Sequence, residues 1–592
     1  MKKLKIIKRN LEFFIPMLFR LNPWIVVNTI LSALLSSVGR LLWILIPKFI
    51  IEELMGSKDI KVLAMLVLAL ALSNFLTRSI QNFIQGLNYI NASKADFAIE
   101  DMFSKKIMKV DYFNIEDPQF ADQIKRAKEG MNRYSNGIYS FIYTLQDLIS
   151  SVITLLGVIG IVLLSKEYLV ILVSLVGVMI SAFNYSKIQK LDKNFNHNWV
   201  RHSRRLWYYN DGITSFRLQK DLRLYQAKKM ISDAGEKEIK EAYSEYNRIA
   251  KKKKLWDGMD TFVTHLVTRL ITLILLAYAV YDKNMTIAVF TMLYQSINTF
   301  DSSMVNLVYS TRTYVQDCAY QEEFINIMEK QSIFADGTLP ISEFKTLEFK
   351  NVSFKYPRTD NFIIKNLDFK IDSKEKVSLV GLNGSGKTTI IKLICRFYAI
   401  DEGEILVNGI NINNYKYEDY MKLMAIVFQD FKIISFSIKS NVAILDENQD
   451  KLYDCLKRAQ VLEKVLSLPK KENTYINKWF DRTGVEFSGG EMQKFALARC
   501  LYKDADFVVL DEPTSNLDPM AEAEIYYNFK DIVGEKLTIF ISHRLSSCIF
   551  SDRIFVLDGS SIVEEGTHKD LMNNKGGLYH KMFTTQGEYY KS

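Results

Sequence analysis

Long apolar stretches with few charges fill the first half of the chain, and short apolar segments between glycine-rich loops fill the second half. Within residues 24–330 the only prolines are Pro47 and Pro118, so helices in this region can continue for many turns. The pattern predicts an α-helical first half followed by an α/β second half. The predicted boundaries are 1–21 for an N-terminal segment, 22–330 for the helical domain, 331–341 for a linker and 342–592 for the α/β domain.

Six uncharged apolar runs are predicted to span a membrane, and several of them approach the ~20 residues that a membrane-spanning helix needs. The runs lie at 22–39, 62–77, 148–165, 168–186, 270–281 and 285–300. Lysine and arginine concentrate at the N-terminus, in the segments between the second and third and the fourth and fifth runs, and in the second half. The positive-inside rule therefore predicts a multi-pass membrane protein with both termini in the cytoplasm. The basic, amphipathic 1–21 segment is predicted to be an interfacial helix.

Several predicted helices are longer than a membrane requires. A continuous helix over the proline-free segment 60–109 would be ~70 Å long, against a hydrocarbon core of ~30 Å. Charged stretches indicate that the next helices also project into the cytoplasm. The turns between them, at 112–120 and 211–222, contain aromatic residues, of which Phe113 and Phe216 are the candidates for docking on another domain. Ordinary solvated hairpins are the alternative.

Composition and charge exclude several classes of protein. The chain is 48% hydrophobic and 24% charged, which fits neither a disordered chain nor a purely membrane-embedded one. Its net charge of +9 over 592 residues gives no argument for nucleic-acid binding. The five cysteines lack CxxC spacing, so neither a disulfide framework nor a zinc site is indicated, and the first of them, Cys318, lies too late for an N-terminal cysteine-protease domain.

A phosphate-binding loop follows an apolar strand at 377–380 and precedes a helical run at 390–397. Its GxxxxGK[ST] pattern places backbone N–H groups around phosphates, Lys387 on the β and γ oxygens and the Thr388 hydroxyl on Mg²⁺. The pattern predicts binding of ATP with Mg²⁺. The candidate phosphate-loop residues are Gly381, Asn383, Gly384, Ser385, Gly386, Lys387, Thr388 and Thr389.

Two adjacent carboxylates end a second apolar strand, 507–510. At this position Asp511 is expected to hold Mg²⁺ beside the phosphates, and Glu512 to polarise the attacking water as general base. His543 follows a third strand, 537–541, and is a candidate γ-phosphate contact. These residues predict hydrolysis of ATP to ADP and phosphate.

With these motifs the whole chain resembles an ABC exporter half-transporter of the type IV exporter fold. Residues 487–491 resemble the family signature, Gln429 the Q-loop, 515–518 the D-loop, His543 the switch and Tyr356 the aromatic residue that stacks on adenine. The segments 427–431 and 517–522 resemble in particular bacterial exporters of lantibiotic-type peptides that lack a protease domain, which implies a location in the bacterial cell membrane. The resemblance implies a six-helix transmembrane domain with long cytoplasmic helical extensions, coupling turns, and an ABC-type nucleotide-binding domain.

The resemblance also implies a dimer, in which the signature of each copy completes the phosphate loop of the other. It adds Gln429 and Asp518 to the ATP site, Gln429 to the Mg²⁺ ligands, and Ser488, Gly489, Gly490 and Glu491 as contacts in trans. This chain departs from the usual signature, which begins with Leu and ends with Gln, at Phe487 and Glu491. A homodimer would have two competent sites, and a heterodimer with a degenerate partner is the alternative.

The sequence says less about the substrate than about the nucleotide site. Polar groups in or beside the spans are costly in hydrocarbon and predict a water-filled cavity; the candidates are Arg40, Arg269 and Asp301. An Arg40–Asp301 pair across helices is the alternative. A mixed-charge cavity suits a peptide or other amphipathic solute. Multidrug or lipid export, or import on the same fold, are the other possibilities, while a soluble ATPase would not need six apolar runs.

Overall fold

The computed structural model describes residues 2–131, 137–165, 168–209, 216–282, 285–334, 337–444, 446–513, 533–542 and 545–589. The chain divides into two compact units. The first consists of Met1–Lys109 and Pro118–Lys330, and the second of Val110–Asp117 and Gln331–Ser592. The eight residues Val110–Asp117 thus belong to the second unit, although they lie in the middle of the helical half of the sequence.

The helical half confirms the predicted helical membrane region. Its helices are α1 (Lys2–Leu21), α2 (Pro23–Met55), α3 (Ile60–Lys109), α4 (Tyr112–Ile115), α5 (Pro118–Gly130), α6 (Ile138–Ser165), α7 (Tyr168–Trp207), α8 (Phe216–Leu224), α9 (Lys228–Thr261), α10 (Thr268–Tyr281) and α11 (Ile287–Glu329). The six predicted apolar runs lie on α2, α3, α6, α7, α10 and α11. Among the described residues, α2, α3 and α6 are long and apolar enough to cross a membrane.

Helix boundaries follow local sequence signals. Asn22 caps α2 by accepting a hydrogen bond from the Trp24 N–H at 3.1 Å, and Pro23 occupies the first helical position, where its missing N–H costs nothing. Thr286 caps α11 through the Val289 N–H. The proline-free helix α3 is continuous over 50 residues, as predicted.

The fifth predicted span does not start as a separate helix. The charged helix α9 continues through a π-helix, Phe262–Val267, directly into α10. The apolar run that begins at residue 270 thus marks the lipid-compatible stretch of this helix and not its start. Short π-helical segments inside α-helices are rare and frequently occur at functional sites.

The second unit contains two sheets. Its strands are β1 (Leu347–Phe354), β2 (Ile364–Ile371), β3 (Lys376–Gly381), β4 (Glu402–Val407), β5 (Ile410–Asn411), β6 (Met424–Val427), β7 (Phe507–Asp511), β8 (Leu537–Ile541), β9 (Arg553–Asp558) and β10 (Ser561–Gly566). The antiparallel sheet has the order β2-β1-β4-β5. The larger sheet has the order β10-β9-β3-β8-β7-β6 and is parallel except for β10.

Helices accompany these sheets and complete the predicted α/β domain. They are α12 (Lys387–Ile394), α13 (Tyr417–Lys422), α14 (Ile438–Val442), α15 (Gln449–Arg458), α16 (Leu462–Leu466), α17 (Gly489–Lys503), α18 (His568–Asn573) and α19 (Leu578–Tyr589). Every residue of β7 and β8 is buried, as expected for parallel strands covered on both faces. The carboxyl ends of β3 and β7 bring the phosphate loop and the two carboxylates to one edge of the sheet.

The segment predicted to be a linker is part of the second unit. Leu339 donates its N–H to the Asn414 carbonyl at 3.0 Å, and its own carbonyl accepts from Lys416 at 2.9 Å. Gly337 approaches the same loop so closely that a Cβ there would lie 2.3 Å from the Asn414 carbonyl oxygen, which requires glycine.

Candidate functional site

The phosphate loop connects β3 to α12. Gly386 caps α12 with φ of 96°, a left-handed conformation that favours glycine, and a Cβ at Gly381 would lie 2.3 Å from the Leu557 carbonyl oxygen. The Lys387 ammonium donates to the carbonyls of Gly381 and Leu382 at 2.9 and 3.0 Å, so it lies inside the curve of the loop. The first N–H groups of a helix have no partners within the helix, and they make this loop a suitable anion site.

Thr388 and Asp511 face each other at the edge of the sheet. The Thr388 hydroxyl donates to Asp511 Oδ2 at 3.1 Å, and Asp511 is almost fully buried. Burial raises the pKa of Asp511 to about 6, although the hydrogen bond from Thr388 opposes that shift. A hydroxyl and a buried carboxylate at this distance are oxygen ligands of the kind that Mg²⁺ takes beside phosphates, so the donor set fits the expected ion.

Glu512 is held by two glutamine side chains. Gln429 Nε2 donates to Glu512 Oε2 at 2.9 Å, and Gln493 Nε2 donates to the Glu512 carbonyl at 2.9 Å. Glu512 has φ of 50°, a backbone conformation that costs a non-glycine residue on the order of 1–3 kcal/mol and that clusters at functional sites. Its own N–H donates to Ile541 on β8.

Only one of the two glutamines, Gln429, was expected at the site from the sequence. Gln429 is predicted to contact ATP and Mg²⁺, and in the structure its side-chain amide donates to the Glu512 carboxylate. Gln493 was missed by the sequence reasoning. Its position two residues after Glu491, on the helix that starts at the signature, was the available signal.

Tyr356 lies just after β1, half-buried. Its hydroxyl is 3.0 Å from the Thr389 hydroxyl, which ties it to the phosphate loop. Its ring meets Phe354 and Tyr398 edge to face, with centroids 5.2 and 5.1 Å away. A surface cavity of about 470 Å³ beside the ring is lined in part by Phe113, so the candidate adenine platform and one candidate coupling residue share a wall.

The signature begins α17. Ser488 is its N-cap and forms a capping box with Glu491, in which the Glu491 N–H donates to Ser488 Oγ at 3.2 Å and the Ser488 N–H donates to Glu491 Oε2 at 2.8 Å. Lys464 lies 3.1 Å from the other carboxylate oxygen of Glu491. The structure thus places a carboxylate and its lysine partner at the N-terminus of the signature helix. Gly489 and Gly490 form the first turn of this helix.

The first predicted coupling turn contains α4, which packs inside the second unit. Tyr112 stacks on Phe397 with centroids 4.4 Å apart, and Phe113 lies against Tyr398 at 6.5 Å. Both partners follow α12. The helix that carries the phosphate loop therefore ends at the surface that receives α4.

Charged contacts accompany the aromatic ones. Glu116 Oε1 accepts from Lys392 at 2.8 Å, and Glu116 also accepts from the hydroxyls of Tyr398 and Tyr112. Burial would raise the pKa of Glu116, but these three donors together lower it, so the carboxylate is ionised at neutral pH. One residue later, Asp117 pairs with Arg358 at 2.8 Å.

Some predicted site residues lie outside the described residues. They are His543, Asp518 and the first part of the second coupling turn, 211–215. Phe216 begins α8, but its side chain is not among those described.

The three candidate cavity residues do not all lie together. Arg269 and Asp301 line one cavity of about 240 Å³ in the first unit, with Asp260 and Asn298. Arg40 is not among its lining residues and donates to Ser36 and Ser150. The Arg40–Asp301 pair considered from the sequence is thus replaced by other partners for Arg40.

The phosphate loop, the paired carboxylates and the signature, on this parallel sheet, define an ATP-driven membrane transporter. The family described as ABC transporter matches residues 364–515. A Bacillus subtilis protein named subtilin transport ATP-binding protein SpaT is 30% identical over 598 residues, which cover 98% of this chain and 95% of that protein. The chain belongs to the ABC transporter family and is an exporter half-transporter with ATPase-coupled activity.

Another sequence relative matches less than half of the chain, and a solved structure matches nearly all of it. The ATP-dependent lipid A-core flippase of Pseudoalteromonas translucida is 38% identical over 263 residues, 44% of each chain. A solved structure described as a bacterial Atm1-family ABC exporter with ATP bound superimposes with a TM-score of 0.76 at 22% identity, covering 95% of this chain and 98% of that one. That likeness confirms the exporter fold, and the flippase match shows that relatives carry different substrates.

Proposed function

We propose that this half-transporter exports a peptide from the cytoplasm, as a homodimer with both termini on the cytoplasmic side. The observation that carries the substrate class is the mixed-charge cavity among the membrane helices. The name of the full-length relative, subtilin transport protein, agrees with the resemblance to lantibiotic-type peptide exporters.

The cavity presents groups of both charges and unpaired polar atoms. Among the described residues, Arg269 Nε, Asn298 Oδ1 and Ser181 Oγ are buried without a hydrogen-bond partner, and all three residues line the cavity. Polar atoms buried without partners are costly unless a ligand or water satisfies them. A peptide offers donors, acceptors and terminal charges together. At about 240 Å³ the cavity holds part of such a substrate.

The local geometry of the helix also supports a substrate site at this cavity. The π-helix Phe262–Val267 lies between Asp260 and Arg269, two of the lining residues, so the helix geometry changes where the cavity is formed. An acyl chain would leave the partnerless polar atoms of Arg269, Asn298 and Ser181 unsatisfied, whereas a peptide would form hydrogen bonds with them.

ATP hydrolysis is assigned to residues on the sheet edge. The phosphate loop and Lys387 bind the triphosphate, and Tyr356 stacks on adenine. Thr388 and Asp511 would hold Mg²⁺, which when bound neutralises charge on the β and γ oxygens. Glu512, oriented by Gln429 and Gln493, accepts a proton from the attacking water at its carboxylate.

Transport assays in inside-out vesicles test the substrate class. Peptide should stimulate the ATPase and accumulate in the vesicle lumen, and lipid or drug substrates should not. Arg269→Gln and Asp301→Asn should lower peptide stimulation while basal ATPase persists. Arg40→Gln, a half-buried arginine outside the cavity, is the matched control. Equal peptide stimulation in all variants, or stimulation by lipid alone, would contradict peptide export through this cavity.

Complementation tests the homodimer. Lys387→Ala removes the phosphate contact and Ser488→Ala the signature contact, so each homodimer should be inactive. A mixed dimer of the two has one site with both changes and one intact site, because phosphate loop and signature come from different copies. Recovery of ATPase on mixing supports the head-to-tail dimer, and no recovery in verified mixed dimers contradicts it.

A further inference from the structure

The signature of this chain carries a charge at the place where it is expected to meet a phosphate. Glu491 ends the motif, and its Oε2 accepts hydrogen bonds from the Ser488 N–H at 2.8 Å and the Ser488 hydroxyl at 3.1 Å. Ser488 and Gly490 are the expected contacts to ATP bound on the other copy. A carboxylate beside them opposes the approach of a triphosphate, since like charges repel most strongly where water is excluded.

A lysine from another element balances this carboxylate. Lys464 lies on α16, and its ammonium is 3.1 Å from Glu491 Oε1. Ser488 and Lys464 therefore each contact a different oxygen of the Glu491 carboxylate. Burial would raise the pKa of Glu491, but the Ser488 N–H and Lys464 lower it, which keeps the carboxylate ionised and the charge in need of balance.

We propose that Lys464 is a positioning residue of the signature: it neutralises Glu491, so that the phosphates of ATP on the other copy can reach Ser488 and Gly490. Together Lys464 and Glu491 have a net charge of zero, the same as that of the glutamine in the usual signature. The inference rests on the proposed head-to-tail dimer, and it makes the residues at 464 and 491 interdependent. A lysine is required at 464 only as long as a glutamate stands at 491.

The unit offers a matched control. Lys439 and Glu447 form an exposed pair at 2.7 Å on the same unit, and neither belongs to a nucleotide motif. Pairs of this kind contribute little to stability. Loss of Lys439 removes one surface charge, as loss of Lys464 does, without exposing a carboxylate at the signature.

A double-mutant cycle on the full-length protein in vesicles tests the proposal, with the ATP concentration that gives half-maximal basal ATPase as the readout. Lys464→Gln should raise that concentration about five- to tenfold, the size expected for one unbalanced charge near a phosphate at a partly exposed position. Glu491→Gln provides the second background of the cycle. In that background Lys464→Gln should raise the concentration much less than it does in wild type, because no carboxylate is left to balance, and Lys439→Gln should change nothing.

Two further measurements separate the effect of the lost charge from general damage to the protein. ADP lacks the γ-phosphate, so its affinity should be the same in Lys464→Gln as in wild type. Lys464→Arg keeps the charge and should behave as wild type, which separates loss of charge from misfolding.

The proposal is overturned if Lys464→Gln has the same effect in the wild-type and Glu491→Gln backgrounds, or no effect in either. This result is distinct from failure of the dimer. If the Lys387→Ala and Ser488→Ala chains do not complement each other, the head-to-tail arrangement is wrong and the proposal falls with it. If they complement each other and the cycle is additive, the inference about Lys464 alone is wrong.

Discussion

Glu512 combines a left-handed backbone, a partner for its carboxylate and a partner for its carbonyl. These restraints fix where its carboxylate lies before any substrate arrives, as general-base catalysis requires. Replacement of Gln429 or Gln493 is therefore expected to impair the function of Glu512, as replacement of Glu512 itself is.

Glu512→Gln should abolish multiple turnover and keep ATP binding, because the amide cannot accept the proton while the phosphate contacts remain. General-base loss commonly lowers the rate by about 10²- to 10⁴-fold. Single-turnover and steady-state ATPase with an ATP-binding assay measure both quantities. Near-normal turnover in the purified variant would remove Glu512 from this role.

Gln493→Ala should lower kcat about tenfold and leave the affinity for ADP unchanged. The loss of one hydrogen bond to the Glu512 carbonyl frees the backbone that aims the carboxylate, which corresponds to about 1.4 kcal/mol. Steady-state kinetics with ADP competition provides the measurement. A weakened ADP affinity at unchanged kcat would show that Gln493 supports binding instead.

Tyr356→Ala should weaken ATP affinity about ten- to a hundredfold, since base–aromatic stacking is worth ~1–3 kcal/mol in nucleic-acid binders. Tyr356→Phe keeps the ring and loses only the contact to Thr389, so it should retain most of the affinity. Equilibrium binding of a fluorescent ATP analogue compares the two. Equal affinities in wild type and Tyr356→Ala would assign the ring to packing.

At the scale of elements, α4 and the following Glu116 contact the end of α12 and the residues after it through aromatic stacking and the Glu116 carboxylate. Elements that are joined by both aromatic stacking and hydrogen bonds to one carboxylate are expected to move together. Movement in the phosphate loop can thus be passed to α4 through a short, continuous set of side chains.

Phe113→Ala should leave ATP binding intact and reduce substrate-stimulated ATPase and transport together. Truncation of a buried anchor commonly costs ≥2 kcal/mol of interface energy. Phe216→Ala belongs to the second predicted turn and is expected to act in the same way. A double variant that transports at the wild-type rate in vesicles would show that force passes elsewhere, such as through the segment 331–341.

The sequence was most informative where the chemistry is local. The phosphate loop, the strand that ends in Asp511 and the helix α3 could be predicted because each depends on a few consecutive residues or on one long pattern. The pairs Gln493–Glu512 and Lys464–Glu491 could not, because side chains from different elements meet only after the sheet and its helices have packed. The aromatic residues of the turn 112–120 indicated docking on another domain, but the contacts with Phe397 and Tyr398 that place Val110–Asp117 in the second unit are tertiary and no periodicity encodes them.

At the scale of the whole molecule, a half-transporter has its catalytic groups divided between copies in the proposed dimer. Each chain holds a phosphate loop and a signature, and the function of one copy depends on the chemistry of the other. Loss of one general base should therefore affect more than one site.

Mixed dimers that contain one Glu512→Gln copy should hydrolyse ATP at less than half of the wild-type rate if the two sites alternate. Tagged co-purification isolates these dimers, and phosphate release measures the rate. A rate of one half would indicate that the sites work independently.

The membership of Val110–Asp117 in the nucleotide-binding unit has a practical consequence. A recombinant fragment that starts at residue 331 would leave behind the eight residues that cover Phe397 and Tyr398. Such a fragment would expose an aromatic groove to solvent and would tend to self-associate, so its oligomeric state in solution would misrepresent that of the intact transporter. A synthetic peptide spanning those eight residues, added in trans, should restore a monodisperse fragment.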